Sequence, residues 1–474
     1  MSHSTTPLVA ESWLARVSLR CCNWAERWFP DAFACTVVAV ALVAIAVLLH
    51  DTAPATVAVH FGEGFWSLIP FTMQMSFIII GGYVTADSPP IARLTLRLAS
   101  LPRTGRGGVT FVAVFGMLVS LLHWGLGMIL SSLLVRAMAT RTDIRLDYRA
   151  AAAAAYLGSG SVWAMGLSSS AAQLQANAAS MPPSLLAITG VIPFSETIFT
   201  WQSIAVTVAL IIVSAWIAWS SAPSDAQART AEDLNIEVSV RTQALPARTR
   251  PGEWLEYSPL PNLFIVALGC GWLWHEFATK GASNAISSLN TYNFIFFMLA
   301  LLLHWRPRCF LESIARGVPS IAGILVQFPL YGGIAAMLTV ATNSEGTTLA
   351  TSLSHMFTHF TNSHTFAFVV GIYSAVLGFF IPSGGGKWII EAPYVMQAAN
   401  DLHYHLGWTV QIYNAAEALP NLINPFWMLP VLGVVGLKAR DLIGYTFVQF
   451  AAHVPLVLIL LWLLGMTFTW HAPV

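Results

Sequence analysis

The sequence predicts an all-α polytopic membrane protein, and three observations indicate this class. Of the 474 residues, 56% are hydrophobic and only 9% are charged, whereas soluble globular proteins carry roughly 25% charged residues. Long uncharged runs recur, and the run from Ala32 to Leu49 has 18 residues, close to the length that crosses a bilayer core. Arginines cluster between such runs, as in short cytoplasmic loops. We expect about nine spans plus two re-entrant hairpins, arranged as inverted repeats.

The first predicted membrane half, 31–219, follows an amphipathic segment over residues 1–30. That segment mixes Trp, Leu and Arg at helical spacing, which is typical of a helix lying on the membrane surface. It has no short apolar run followed by a small-residue cleavage site, so we expect no signal peptide. Keeping every arginine cluster inside places the N-terminus in the cytoplasm. We expect the chain in the bacterial inner membrane. The spans predicted in this half lie near 32–49, 65–86 and 198–219.

The apolar segment at about 111–135 has arginine clusters at both ends. A single crossing would place one cluster outside, so we expect the segment to turn at His123–Gly127 and leave by the face it entered. Backbone that is not helical at this depth must be buried in protein or line a wet cavity. The alternative is an ordinary span with a weak charge signal. The next span, over 151–176, is expected to be interrupted at Gly158 and Gly160.

A polar loop over 220–257 is expected in the cytoplasm and separates the first half from the second, 258–474. The second half repeats the first weakly, with a second re-entrant hairpin at about 364–400 that enters from the opposite face. Inverted repeats with broken helices at matching positions are typical of secondary transporters. The other spans of this half are predicted near 259–278, 291–305, 317–341, 408–436 and 442–469.

The tip of the second hairpin reads Pro-Ser-Gly-Gly-Gly-Lys, from Pro382 to Lys387. Proline and glycine stop a helix, and the backbone groups they free are costly in lipid unless a ligand, ion or water binds them. A helix that begins after Gly386 points its partial positive charge at the tip, which suits a carboxylate. Ser383 can add a hydroxyl donor. The alternative for Gly384, Gly385 and Gly386 is a tight turn without a ligand.

Charged and amide residues follow in the same predicted membrane region. Lys387 and Glu391 lie four residues apart on one helical face, so Lys387 either pairs with Glu391 or contacts the substrate. Glu417, Asn421 and Asn424 are also spaced to share a helix face. Their oxygens suit Na⁺, and a lone buried glutamate suits H⁺, so we expect a co-ion site and leave the ion open.

Several other functions are disfavoured. The net charge is zero, so no nucleic-acid partner is expected. The five cysteines, among them Cys21 and Cys22, lack metal-ligand spacing, and no acidic residue stands between His355 and His359, so no metal site is expected. Glycine motifs for nucleotides and catalytic constellations are absent, so we expect no cofactor and no enzyme activity.

At these motifs the sequence resembles the bacterial short-chain fatty acid transporter family (AtoE-type) of the ion-transporter superfamily. The similarity runs from the first span to the last and is weakest in the central loop. The motifs that carry it are GFWSLIPFTMQMSFIIIGGY, HWGLGM, AGILVQFPLYGGI, FFIPSGGGKWIIEAPYVMQAA and NPFWMLPVLGVVGLKARDLIGY.

The resemblance implies symport of short monocarboxylates, such as butyrate or acetoacetate, with H⁺ or Na⁺. It also implies a homodimer in which a transport domain slides past a scaffold in the bilayer. The positions that it assigns to the site are Ser383, Gly384, Gly385, Gly386, Gln74, Gln327, Glu417 and Asn421. Lys387 and Glu391 depart from the family pattern, which has a neutral or His-like residue and Gln there. The added lysine could accommodate a second carboxylate or a hydroxy acid, or could replace the coupling cation.

We therefore predict a secondary active transporter of a small organic anion that works by alternating access. The carboxylate is expected between the two hairpin tips, with His123 and Trp124 at the first and Ser383 to Lys387 at the second. A dicarboxylate, hydroxy-acid or amino-acid carrier on the same fold is the alternative. A membrane enzyme or receptor would need a catalytic or signalling unit that the sequence does not supply.

Overall fold

The computed structural model describes residues 32–176, 183–238, 247–349, 361–380 and 384–473, with the single residues 13, 16, 17, 20, 178, 181, 351 and 352. Within these residues the chain is helical, with one isolated bridge between Thr342 and Thr348 and no strand. Five helical stretches are long and apolar enough to cross a membrane, and shorter apolar helices accompany them. The predicted all-α membrane class is confirmed, whereas the number of spans and the inverted repeat stay predictions.

Several predicted features lie outside the described residues. They are almost all of the amphipathic segment 1–30, the pair Cys21 and Cys22, His355 and His359, and the hairpin-tip residues Pro382 and Ser383.

Ten helices precede the central loop in the described part of the chain. They are α1 (Ala32–Leu49), α2 (Pro54–Ser67), α3 (Ile69–Asp87), α4 (Pro89–Ala99), α5 (Gly105–Leu122), α6 (Trp124–Ala139), α7 (Tyr148–Leu157), α8 (Ser170–Gln175), α9 (Pro183–Thr189) and α10 (Trp201–Ser221).

The largest difference from the predicted spans is helix α2. The sequence predicts one span over 65–86, but two helices, α2 and α3, occupy 54–87. Pro54 begins α2, in keeping with the preference of proline for the first helical turn. The pair His60 and Glu63, 3.0 Å apart, makes this helix too polar to be found as an uncharged run.

Ten more helices follow the loop in the described residues. They are α11 (Glu253–Tyr257), α12 (Leu260–Ser287), α13 (Leu289–His304), α14 (Pro307–Gly317), α15 (Ala322–Thr339), α16 (Phe366–Phe380), α17 (Gly384–Asp401), α18 (Leu406–Asn421), α19 (Pro425–Val435) and α20 (Ala439–Gly465).

The predicted breaks coincide with real helix ends. The segment at 111–135 divides at His123 into α5 and α6, which pack against each other. The segment at 408–436 divides between α18 and α19, where Pro425 begins the second helix. The second predicted hairpin consists of α16 and α17. By contrast, α12 runs past its predicted end and contains a kink at Gly281, whose φ of 76° favours glycine.

Helices α2 and α15 touch through their backbones. A Cβ added to Gly64 would overlap the carbonyl of Gly332, and a Cβ on Gly332 would overlap the carbonyl of Gly64. Helix α15 is also joined to α1, because Thr36 Oγ1 donates a hydrogen bond to Gln327 Oε1 over 2.9 Å. Helices α1, α2 and α15 therefore form one closely packed group.

The central loop is anchored to the connection between α6 and α7. The backbone N–H of Arg229 donates to Asp147 Oδ2 (3.0 Å), and Asp147 also caps α7. At the other end of the loop, the backbone N–H of Thr249 donates to Glu253, and this bond is the main cause that lowers the pKa of Glu253 to about 2. Both ends of the loop are thus held by hydrogen-bonded carboxylates.

Candidate functional site

The first hairpin turns at His123. Its Nδ1 accepts a hydrogen bond from the N–H of Leu126 over 3.0 Å, so the imidazole caps α6. The ring is fully buried and packs against Tyr292 and Phe296 of α13, with centroids 5.1 and 4.0 Å away. Its Nε2 has no hydrogen-bond partner among the described residues. His123 therefore stabilises the turn and the contact with α13.

The interruption predicted after α7 is a π-helical turn, Gly158–Val162, followed by a 3₁₀ turn, Trp163–Met165. π turns of this kind are frequent at functional sites. Ser168 connects the interruption to the tip of the first hairpin. Its hydroxyl donates to Ser120 O (2.7 Å) and accepts from the N–H of Trp124 (2.9 Å).

The end of α18 lies beside this interruption. Tyr156 donates its hydroxyl to Asn421 O over 2.7 Å, and Asn421 Nδ2 donates to Ser159 O over 3.3 Å. The second hairpin joins the same region, because Tyr413 of α18 donates to the carbonyl of Gly384 over 2.6 Å. Both hairpins and both broken helices therefore meet at one place.

A small cavity, which we call the inner cavity, lies at this meeting point and has a volume of about 20 Å³. That volume holds about one water molecule. Gly384 needs to lack a side chain here, since a Cβ would lie 2.5 Å from Trp163 Cη2. The residues that line the inner cavity are Met75, Trp124, Ser159, Trp163, Ser170, Gly384, Asn421 and Trp427.

Buried polar atoms of lining residues that have no hydrogen-bond partner among the described residues include Ser159 Oγ, Trp163 Nε1 and Asn421 Oδ1. Leaving such a group unpaired costs roughly 1–3 kcal/mol. The Ser159 hydroxyl and the Trp163 indole N–H are hydrogen-bond donors, and the N-terminus of α17 adds a partial positive charge. These groups are suited to a carboxylate, whereas Asn421 Oδ1 is an acceptor and is suited to a donor such as water.

An ionic cluster lies one helical turn from the inner cavity and consists of Lys387, Glu391 and Glu417. Lys387 Nζ is 2.6 Å from Glu417 Oε2 and 3.4 Å from Glu391 Oε2, and all three side chains are at most 1% exposed. Lys387 also donates to Ser374 O (2.8 Å) and lies 4.4 Å from the centre of the Tyr413 ring. The hydroxyl of Ser374 donates to Glu391.

The arrangement of this cluster follows from helical spacing. Lys387 is one turn beyond Gly384 on α17, and Glu417 is one turn before Asn421 on α18. Helix α16 passes close by at Gly378, where a Cβ would lie 2.9 Å from Glu417 Oε2. One ammonium group thus faces two carboxylates in a region closed to solvent. The predicted pairing of Lys387 with Glu391 is present, and the shorter contact is to Glu417.

The other predicted site residues lie in different surroundings. Gln74 donates to Asn290 Oδ1 (2.8 Å) and Gln327 bonds to Thr36, and neither lines the inner cavity. Asn424 donates to Phe379 O over 3.3 Å, next to Gly378, which lies beside Glu417. Asn421 lines the inner cavity, and a common co-ion site of Glu417, Asn421 and Asn424 stays a prediction. Among the glycines, Gly384 lines the inner cavity, Gly385 lies against Ser170, and Gly386 continues α17.

Sequence reasoning missed Trp163 and Trp427. Trp163 lies in a stretch whose serines are the evident polar candidates, and tryptophan in a membrane segment is usually read as an interfacial anchor. Trp427 packs edge-on against Trp124, with ring centroids 5.4 Å apart. One signal in the sequence could have identified Trp427: it comes shortly after Asn424 and Pro425, where a helix break is predicted.

A separate histidine cluster was also missed. Glu196, His405 and His471 place three ligand atoms within 4.8 Å of one another. However, His405 Nδ1 accepts the N–H of Trp408 and caps α18, so a neutral His405 carries its proton on Nε2 and has no lone pair free for a metal. Burial lowers the pKa of His405 to about 4 and keeps it neutral. The cluster is better described as a helix cap with an ion pair between His471 and Glu196.

Comparison with protein families gives one match that extends along nearly the whole chain. The family described as "Short chain fatty acid transporter" matches residues 13–464. A protein of Escherichia coli (strain K12) named "Putative short-chain fatty acid transporter" is 35% identical over 436 residues, covering 91% of this chain and 96% of its own. A protein of the same name from Haemophilus influenzae is 29% identical over 457 residues, covering 95% of this chain and 100% of its own.

Two solved structures resemble the fold. MtrF of Neisseria gonorrhoeae, described with a class of antimetabolite efflux pumps, has a TM-score of 0.47 and 14% identity, with 94% of this chain and 97% of that chain covered. The YdaH transporter of Alcanivorax borkumensis has a TM-score of 0.49 and 15% identity, with coverage of 93% and 99%.

Proposed function

Since this chain belongs to the short-chain fatty acid transporter family, we propose that it is a secondary active symporter of short-chain monocarboxylates such as butyrate or acetoacetate, driven by H⁺. It is a multi-pass membrane protein, and we place it in the bacterial inner membrane with a cytoplasmic N-terminus, as the arginine distribution predicts. A homodimer is part of the same proposal.

The observation that carries this proposal is the charge of the ionic cluster. Lys387 contributes one positive charge and Glu391 and Glu417 contribute two negative charges, so a fully ionised cluster has a net charge of −1. An uncompensated charge in a buried site costs several kcal/mol. One bound proton removes that cost. The cluster is thus a proton site made of two carboxylates that share one ammonium group.

The neighbouring inner cavity supplies the anion site. A proton on Glu417 would release Lys387 from its shortest ion pair, so that its ammonium charge could balance a carboxylate one helical turn away. Ser159, Trp163 and the N-terminus of α17 would donate to that carboxylate. Binding of a proton together with an anion leaves the net charge of the site unchanged. A volume of about 20 Å³ does not admit butyrate, so the tryptophans or hairpin tips must move apart, as alternating access requires.

A proton fits the cluster better than Na⁺. Sodium needs several oxygen ligands around one point. Of the predicted amides, Asn421 lines the inner cavity and Asn424 donates its Nδ2 to the Phe379 carbonyl. The place between the two carboxylates is taken by the Lys387 ammonium group. In this chain Lys387 acts as a tethered cation.

The test is uptake of labelled butyrate into proteoliposomes with an inward H⁺ gradient or an inward Na⁺ gradient imposed separately. We expect stimulation by the H⁺ gradient alone. Stimulation by Na⁺ alone would refute proton coupling, and no uptake under either gradient would refute the substrate class. Unlabelled succinate, 3-hydroxybutyrate and alanine as competitors separate the dicarboxylate, hydroxy-acid and amino-acid alternatives.

The variant Glu417→Gln tests the role of the cluster. It leaves Lys387 paired with Glu391, so the cluster becomes neutral without a proton. We expect this variant to lose accumulation driven by the H⁺ gradient but to retain exchange of internal for external butyrate. Equal loss of both activities would show that Glu417 is needed for binding rather than for coupling.

A further inference from the structure

A second cavity, which we call the outer cavity, has a volume of about 340 Å³. This volume is within the range of small-molecule pockets, roughly 300–1,000 Å³. One wall is formed by α3, α4 and the turn that follows α14, and the other by α6 and α19. The arginine pattern predicts that the helix ends around it face the cytoplasm.

Three helices extend from the inner cavity to the outer cavity. Each of these helices contributes one residue here to each cavity. The inner cavity is lined by Met75 of α3, Trp124 of α6 and Trp427 of α19, and the outer cavity by Asp87, Arg136 and Val434 of the same three helices. At a rise of 1.5 Å per residue, the two cavities are roughly 10–18 Å apart along these helices. The outer cavity therefore lies farther along the same three helices than the inner cavity.

The outer cavity carries an excess of positive charge. Arg136 donates to Val434 O and Glu237 O, each over 3.1 Å, and forms no ion pair with a carboxylate of the described residues. Arg316 is paired with Asp87 at 2.5 Å. The charged lining is thus two arginines against one aspartate. In a cleft of low-dielectric protein, an excess of one sign of charge attracts ions of the opposite sign, here anions.

The geometry points to a second carboxylate site in the outer cavity, in which Arg136 binds the monocarboxylate on its way between the cytoplasm and the inner cavity. The guanidinium group has five N–H donors; two donate to the carbonyls and a further contact is to the Tyr148 hydroxyl, so donors remain for a carboxylate. The identity of the anion rests on the proposed function, whereas the presence of an anion site does not.

The test is protection of a cysteine placed in the outer cavity. Ala92 lines it, so Ala92→Cys is introduced after the five native cysteines have been replaced by serine. The purified protein is labelled with a membrane-impermeant maleimide in the presence of butyrate or butyramide, which has the same shape without the charge. We expect butyrate to slow labelling several-fold and butyramide to have no effect.

Variants then assign the protection to Arg136. Arg136→Gln is expected to raise the half-protecting butyrate concentration by about ten-fold, equivalent to about 1.4 kcal/mol. Arg136→Lys is expected to retain part of the protection because it keeps the charge. Failure of the introduced cysteine to label, equal protection by butyramide, or unchanged protection in Arg136→Gln would each overturn the inference.

The outcome is separable from that of the proposed function. Protection that depends on Arg136, together with no butyrate uptake in proteoliposomes, would refute the transport assignment and leave the anion site standing. Butyrate uptake without protection that depends on Arg136 would support the transport assignment and refute the anion site in the outer cavity.

Discussion

The two hairpin ends meet at the same cavity, yet one is neutral and the other is charged. The first contributes the Trp124 ring and a turn capped by His123. The second contributes Gly384 and, one turn later, the buried ammonium group of Lys387 between two carboxylates. The contrast indicates a division of labour, in which the first hairpin shapes the cavity and the second controls its charge. The four predictions that follow would break or sharpen this contrast.

The largest effect is expected for Lys387→Gln. Removing one partner of a buried ion pair costs roughly 3–5 kcal/mol, because Glu391 and Glu417 then face each other without a cation. We expect loss of uptake by at least about 100-fold and a lower thermal stability, measured by uptake assays and by unfolding of the purified protein.

Arg308→Gln is the matched control, since Arg308 pairs with Glu312 four residues later on one helix and both side chains are exposed. An exposed pair contributes about 0–1 kcal/mol, so stability and transport should barely change. Similar effects of Lys387→Gln and Arg308→Gln would contradict the assignment of charge control to the second hairpin.

A smaller effect is expected for Gly384→Ala. The new Cβ would lie 2.5 Å from the Trp163 ring, and overpacking of this kind costs roughly 1–3 kcal/mol. We expect kcat/KM for butyrate to fall by about ten-fold or more. The control Gly385→Ala places its Cβ 3.3 Å from Ser170 Cβ and should be milder. A reversed order of the two variants would show that the close approach to Trp163 is not what requires glycine.

Trp163→Phe keeps the aromatic ring and removes the N–H that has no partner among the described residues. If this N–H donates to the substrate carboxylate, its loss removes a charge-assisted hydrogen bond, and KM should rise about ten-fold with kcat little changed. Trp408→Phe removes a buried N–H that donates to Leu461 O, away from the cavity, and should lower stability without raising KM. An unchanged KM in Trp163→Phe would show that the Trp163 N–H does not donate to the bound anion.

The smallest effect is expected for His123→Asn. Asparagine also caps helix N-termini, so the turn should survive, and uptake should stay within about two-fold of the wild type. His123→Ala loses the cap and should destabilise the protein by about 1 kcal/mol. A strong loss of butyrate affinity in His123→Asn would restore His123 as a substrate ligand and remove the contrast between the hairpins.

Much of this arrangement could be predicted from the sequence, because strong local signals mark helix breaks. Residues that break a helix interrupt three apolar runs, and the helices end at these points. The interrupting residues are His123 with its neighbouring glycines, Gly158 with Gly160, and Pro425. The contact between Lys387 and Glu391 follows from their spacing on one helix. The contact of Lys387 with Glu417 depends on the packing of α17 against α18. No local sequence pattern predicts that packing.

The other features that the sequence did not predict also depend mainly on packing between distant parts of the chain. Trp163 and Arg136 become site residues only through packing between elements distant in sequence, and a single tryptophan or arginine carries no periodic signal of that role. Helix α2 was not predicted because His60 and Glu63 interrupt its apolar sequence. The two side chains lie 3.0 Å apart in the structure, so they are compatible with a helix. Gln327 matches a family motif, but its hydrogen bond is to Thr36 of α1, which belongs to the packing of the helices.

The backbone contact between Gly64 and Gly332 restricts where the molecule can deform. A shift of one helical turn between α2 and α15 would replace a glycine by a residue with a side chain at a point where there is no room for a Cβ. The backbone contact therefore fixes the register of these two helices. Contacts made by longer side chains, which can change rotamer, allow more relative movement, so we expect the alternating-access movement proposed above at such contacts rather than between α2 and α15.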